Sequence, residues 1–199
     1  MKKTMARIGL IDVDSHHFPN LPLMKIAAYH KSIGDAAEPA VPIQRYDKVY
    51  VSKIFTFTPD IDFVPQADET VYGGTGYNLT TVLPPYIESM CPDYDLYPQF
   101  SEAYGFLTRG CPRNCRFCIV SEKEGSKSVR VADLSEFWRG QKKIKLLDAN
   151  ILACNERENI LQSLIDCGAY IDFTQGLDIR LTDKYIAQML TEIKIEEVH

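Results

Sequence analysis

From Ala103 onward the sequence repeats one unit, a short apolar run followed by a helical pattern, at intervals of about thirty residues. The runs are Ala103 to Thr108, Ile144 to Leu147, Tyr170 to Phe173, and a last one that opens at Ile195 and reaches His199. Parallel strands need a long crossover, usually a helix, so a chain with this period is expected to form a parallel barrel or a parallel sheet. Asp133-Leu134-Ser135-Glu136 has the spacing of a capping box and predicts a short helix through Trp138 that stops at Gly140. Asn155 to Glu158 offers a second box, followed by an apolar face of Ile160, Leu161, Leu164 and Ile165 that ends at Gly168. Thr182 is the expected cap of a third helix, with Ile186, Met189, Leu190 and Ile193 on its face.

The first half alternates strand and helix differently. Arg7 to Val13 is a mostly apolar run of the kind a buried parallel strand shows. Asn20 can cap a helix with Pro22 in its first turn, and Gly34 stops it. Lys48 to Phe55 is β-branched and aromatic, and a glycine turn follows at Gly73-Gly74-Thr75-Gly76. Residues 1–83 therefore read as a small doubly wound, Rossmann-like α/β domain. Pro84, Pro85, Pro92 and Pro98, with Tyr86, Tyr94, Tyr97 and Phe100 among them, mark residues 84–103 as a connecting segment that packs on something. Residues 104–199 carry the repeated β-α units, and the expected fold class is α/β throughout.

The chain has 199 residues, 22 Lys+Arg against 27 Asp+Glu, and 45% hydrophobic residues, which suits a globular protein and not a disordered or fibrous one. No apolar run approaches the ~20 residues that cross a bilayer, and the start lacks a signal-peptide core, so a cytoplasmic location and no membrane partner are expected. The net charge of −5 gives no basic face for nucleic acid, which is not the expected partner, although a local patch for RNA stays open.

Six cysteines are unevenly placed. Cys111, Cys115 and Cys118 fall within eight residues, as C-x3-C-x2-C, while Cys91, Cys154 and Cys167 are scattered and read as buried or incidental thiols. In a reducing compartment a cluster of this kind binds metal more often than it forms disulfides. Zinc would want a fourth Cys or His nearby, and the histidines are at 16, 17, 30 and 199. Three thiolates on one loop suit an iron–sulfur cube with one iron left open, whereas an electron-transfer ferredoxin fills that position with a fourth cysteine. Cys154 or Cys167 could supply it through space, so spacing alone leaves all three readings standing.

The run Phe106-Leu107-Thr108-Arg109-Gly110-Cys111-Pro112-Arg113-Asn114-Cys115-Arg116-Phe117-Cys118 resembles the signature of radical S-adenosylmethionine enzymes. There C-x3-C-x2-C follows the first barrel strand and an aromatic residue, here Phe117, precedes the third cysteine. The resemblance implies that residues 104–199 form an incomplete parallel β/α barrel, the first three to four β-α units of such a core. It also implies a 4Fe–4S cluster on Cys111, Cys115 and Cys118, with the open iron chelating the amino and carboxylate groups of S-adenosylmethionine. Reductive cleavage then gives a 5′-deoxyadenosyl radical that abstracts hydrogen from a substrate. Phe117 would shape the adenine side. Asp148 and Asn150 stand where the family contacts the methionine amino group, although its common Gly-Gly-Glu form is absent. Gln175, Asp178 and Arg180 are the matching positions for the cofactor's carboxylate and ribose, or else a helix cap and a surface ion pair. The implied partner is a one-electron donor such as a flavodoxin or ferredoxin. The chain stops early in the barrel, so it is expected to be a fragment or to be completed by another polypeptide, with cluster binding more credible than turnover. The substrate is unassigned, and the residues that choose it are expected beyond His199.

An α/β domain that binds cobalamin, or has lost that ability, precedes the barrel in many members of this family. Asp14-Ser15-His16-His17-Phe18-Pro19 resembles the cobalamin loop D-x-H-x-x-G, with Ser52-Lys53-Ile54 and Gly73-Gly74 at the places of the serine and glycine pair. Pro19 replaces the glycine and removes an N–H donor. Cobalamin is thus a possible cofactor, and a degenerate scaffold or a substrate-binding domain is the alternative. His30, on the apolar face of its helix, reads as a hydrogen-bonded core residue.

Overall fold

A computed structural model describes residues 5–198 and divides into two compact units, the first ending at Phe100 and the second starting at Ser101. Among the described residues no helix is long and apolar enough to cross a membrane.

The first unit contains β1 (Arg7–Asp12), α1 (Leu21–Ser32), β2 (Ala36–Pro39), β3 (Tyr46–Ser52) and β4 (Ala67–Gly73), followed by α2 (Pro85–Glu88) and a 3-10 turn at Tyr94–Leu96. Its four strands are parallel in the order β2-β1-β3-β4. β1 reads as an unbroken apolar run because both its faces are covered. Ile8 and Leu10 pack with Leu23, Ile26 and Ala27 of α1, and Ile11 packs with Tyr46, Val49 and Val51. Asn20 caps α1 as its sequence position predicts, accepting from the Leu23 N–H at 3.3 Å, and Gly34 leaves the helix at φ +87°. The edge strands β2 and β4 have no apolar run. Their side chains are half-buried or exposed, and Pro39 is tolerated because an edge strand has a side without ladder bonds. Ile87 of the proline-interrupted segment is buried in the cluster of Ile8 and Leu10, so that segment packs on this core. His30 is buried, with Nδ1 2.8 Å from Asp35 Oδ2 and Nε2 3.1 Å from the Tyr50 hydroxyl, as a core histidine should be.

The second unit runs β5 (Ala103–Gly105), β6 (Thr108–Arg109), α3 (Val120–Lys123), β7 (Val129–Arg130), β8 (Lys143–Leu146), α4 (Arg157–Cys167), β9 (Tyr170–Phe173), α5 (Lys184–Glu192) and β10 (Ile195–Val198). Four strands form a parallel sheet in the order β10-β9-β8-β5, and β6 pairs antiparallel with β7. The last strand is therefore present up to Val198, and His199 lies outside the described residues. The register puts Ile144 opposite Ile171 and Leu146 opposite Phe173 on one face, and Lys145 between Tyr104 and Asp172 on the other. Gly105 belongs to the apolar row, where a Cβ would come within 2.4 Å of the Phe137 ring.

Three local expectations need correction. The first strand does not run through Thr108, because its ladder with β8 ends at Gly105 and Thr108 turns to pair with Arg130. The Asp133 box forms, but its helix is a single 3-10 turn at Leu134–Glu136, since Gly140 at φ +88° and a bond from the Trp138 indole N–H to the Gln141 carbonyl turn the chain away. Asn155 and Thr182 are not the caps. α4 begins after Glu156 with no side-chain cap, and α5 is capped by Asp183, whose carboxylate reaches the Ile186 N–H at 2.9 Å.

Candidate functional site

Parallel strands place all their C-terminal ends at one edge, where the loops of an α/β sheet build sites. In the second unit that edge holds the cysteine loop after β5 and β6, residues 147–150 after β8, and residues 174–180 after β9.

The cysteine loop is pinned at its base. Gly110 has φ +89°, and a Cβ there would lie 2.1 Å from the Lys127 carbonyl oxygen, so only glycine fits. The Cys111 N–H donates to the Gly125 carbonyl at 3.1 Å, and Arg109 pairs with Glu124 at 2.8 Å. Asn114 has φ 46°, the only non-glycine residue with a positive φ among the described residues, and its Oδ1 accepts from the Ser121 hydroxyl. Cys111 is half-buried, Cys115 and Cys118 are exposed, and Phe117 is 92% exposed. Among the described residues no three His, Cys, Asp or Glu side chains are gathered into a group that could hold a metal ion. Metal–thiolate bonds themselves draw such loops together, because their binding energy is folding energy.

Asp148 is buried and spent within the chain. It accepts from the N–H groups of Leu107 and Thr108 and from the Thr108 hydroxyl at 2.6 Å. Burial outweighs those donors and pushes its carboxyl up to about 6. These bonds are what break the strand after Gly105.

Asn150 is also buried, and its side chain bridges two loops. Its Nδ2 donates to Cys111 Sγ at 3.6 Å and to Asp178 Oδ2 at 3.4 Å, while its Oδ1 is buried with no hydrogen-bond partner. Asp178 gathers further donors: Arg180 Nε at 2.8 Å on Oδ1, and Arg113 through Nε at 2.5 Å and through Nη2 on Oδ2. The hydrogen bond from Arg180, followed by that from Arg113, holds the Asp178 carboxyl down at about 2. The Arg180 side chain stays 68% exposed, and Gln175 is exposed beside the tight turn from the Gly176 N–H to the Phe173 carbonyl. The structure thus brings together Cys111, Asn150, Asp178 and Arg180, while Phe117 and Gln175 stand at the surface. Sequence reasoning missed Arg113. Its only signal was a cation between two of the clustered cysteines.

The residues fit an iron–sulfur cluster in the chemistry of the donor set, three thiols on a loop with a pinned base, and in the polar neighbour of Cys111. Asn150 Oδ1 remains an acceptor without a donor, as a site awaiting an N–H group would leave it.

The switch point of the first unit, between β1 and β3, fits a ligand poorly. The Asp14 carboxylate takes the N–H groups of Ile54 and Phe55, at 2.9 and 2.8 Å, and Asn20 Nδ2 donates to Ser15 and Ser52. The Tyr97 hydroxyl donates to Asp12 Oδ2. Pro19 is buried, and a Cβ on Gly74 would lie 2.2 Å from the Lys53 carbonyl oxygen, so the glycine turn is packed against its own chain. The groups expected to cradle a cobalamin tail are engaged with one another, and His16 and His17 are exposed.

No protein-family model matches the chain, and no curated protein matches it. Among the solved structures whose fold it matches are two of the radical S-adenosylmethionine methyltransferase TsrM from Kitasatospora setae. One, with cobalamin and a [4Fe–4S] cluster bound, has a TM-score of 0.65 at 10% identity and covers 96% of this chain. The other, with tryptophan substrate and a S-adenosylmethionine analogue, has a TM-score of 0.63 at 11% identity and the same coverage. The chain spans 60% and 58% of those two proteins. At such identity the likeness is one of fold.

Proposed function

We propose that this chain is a radical S-adenosylmethionine protein that holds a 4Fe–4S cluster through Cys111, Cys115 and Cys118. The observation that carries the reading is the C-x3-C-x2-C loop at the C-terminal edge of a parallel sheet, with the unpartnered Asn150 Oδ1 beside Cys111. The TsrM fold likeness supports it. When bound, such a cluster supplies a low-potential electron and an open iron that chelates S-adenosylmethionine, so that the sulfonium can be cleaved.

The chain's own residues then have distinct tasks. Asn150 Oδ1 accepts an N–H of the methionine amino group, and the exposed Phe117 ring offers a face to the adenine. Arg180 and Gln175, both open to solvent, take the carboxylate and ribose. Asp148 acts through the backbone, fixing the turn from β5 into the cysteine loop. A flavodoxin or ferredoxin is the proposed electron donor, and cobalamin is not part of this reading.

The test is electron paramagnetic resonance of the anaerobically reconstituted, reduced protein with and without S-adenosylmethionine. A reduced 4Fe–4S signal that changes on adding the cofactor is expected. An iron signal that does not respond would favour a capped electron-transfer cluster, and a colourless zinc protein would overturn the reading.

A further inference from the structure

Arg113 and Asp178 are 65 residues apart in sequence, yet the guanidinium of one grips the carboxylate of the other through two nitrogens. The base of the cysteine loop is held by main-chain bonds, but its middle, where Cys115 and Cys118 are exposed, has few ties to the rest of the unit. Arg113 lies in that middle, one residue before Asn114 and two before Cys115.

We propose that Asp178 is a positioning residue for the cysteine loop, holding Arg113 directly and the Cys111 sulfur through Asn150, so that the three thiols meet one cluster. This rests on the cluster reading above and assigns Asp178 a task different from ribose or carboxylate binding. The carboxylate has little acceptor capacity left for a ligand. Oδ1 takes Arg180 Nε, and Oδ2 takes Arg113, Asn150 at 3.4 Å and Arg180 Nη2 at 3.3 Å. Its side chain is 8% exposed while that of Arg180 is 68% exposed. An exposed ion pair contributes little, but a paired, shielded, two-pronged one within a network fixes geometry. Asn150 carries that geometry to the sulfur, since the same amide nitrogen serves Asp178 and Cys111. Hydrogen-bonded groups behind a metal ligand orient it in this way.

The test uses the full chain, reconstituted anaerobically, with iron and sulfide measured per chain and the rate of iron loss followed under excess bathophenanthroline. Asp178→Asn is expected to lose iron roughly tenfold faster than the parent, in line with the effect of removing a group behind a metal ligand. Arg113→Gln, on the exposed loop and so tolerable to the fold, should lose it faster than the parent but more slowly than Asp178→Asn, because Asn150 still joins Asp178 to the Cys111 sulfur. The double variant should be no worse than Asp178→Asn alone, because the Arg113 link is already broken there. Gln162→Ala, on the exposed face of α4 and bonded only to Asp166, should keep its iron as the parent does. Either single variant holding iron as long as the parent, or additive losses in the double variant, overturns this inference while leaving the cluster reading intact. A parent chain that takes up no iron overturns both.

Discussion

The Tyr97 hydroxyl donates to Asp12 Oδ2 at 2.6 Å, so a residue of the proline-interrupted segment closes the end of β1 in the first unit. Burial and the neighbouring carboxylate push that hydroxyl far above its ordinary pKa, which keeps it a donor. Asn20, Ser15 and Ser52 are bonded to one another, so the side chains expected to face a nucleotide tail are engaged within the chain. Titration with hydroxocobalamin, followed by corrin absorbance, is expected to show no binding. Saturable spectral change at micromolar cobalamin would refute this account of the first unit.

Asn20 serves both the helix and the sheet. Its Oδ1 caps α1 and its Nδ2 links Ser15 to Ser52. Asn20→Ala should remove about 1 kcal/mol of capping and a further ~1–2 kcal/mol of buried hydrogen bonding. Urea denaturation read through the first unit's tyrosines checks this, and an unshifted midpoint would contradict it.

Asp148 predicts a pH dependence with a definite sign. Its carboxyl is raised from 3.8 to about 6, chiefly by burial. Below 3.8 both folded and unfolded chains hold the proton and the group costs nothing. As pH rises through the window up to about 6, the unfolded chain ionises first and stability falls, by roughly 2–3 kcal/mol in all. Asp148→Asn removes that titration. Unfolding free energies of the pair, measured from about pH 4.5 to about pH 7, should therefore drift apart in the variant's favour as pH rises, and a constant difference would sink the assignment.

Gly110→Ala should damage the cysteine loop without touching a thiol. The position needs φ +89° and leaves 2.1 Å between a Cβ and the Lys127 oxygen. Strain of about 1–3 kcal/mol or a displaced loop follows, read as a lowered melting temperature together with reduced iron uptake.

An open iron requires that no fourth cysteine cap the cluster. Cys154 is buried beside α4, and the Cys167 thiol is turned to the Leu164 carbonyl at 3.1 Å. Cys154→Ala and Cys167→Ala should keep iron and sulfide at the parent level, while alanine at Cys111, Cys115 or Cys118 should abolish both.

What the sequence made legible follows from how each signal is written. β1, α1 and β9 are visible because burial on two faces or a cap leaves a local mark, as at Ile8 to Ile11 and Asn20. β2 and β4 leave none, since Pro39 and Glu69 at the sheet edges satisfy no apolar pattern. The cysteine loop is legible because its three cysteines are near neighbours in the sequence. The ties that shape it are not: Asp148 reaches back 40 residues to Thr108, and Asp178 reaches back 65 to Arg113. Those ties depend on which strand ends the sheet brings together, which only the assembled topology specifies.

The link between Arg113 and Asp178 also constrains descent. A lineage that loses the carboxylate leaves a guanidinium beside the cysteines with nothing to hold it, and one that loses the guanidinium leaves a shielded acid with Arg180 as its remaining cationic partner. Drift at either position is therefore expected to be followed by change at the other, so the two sites should be inherited as a pair.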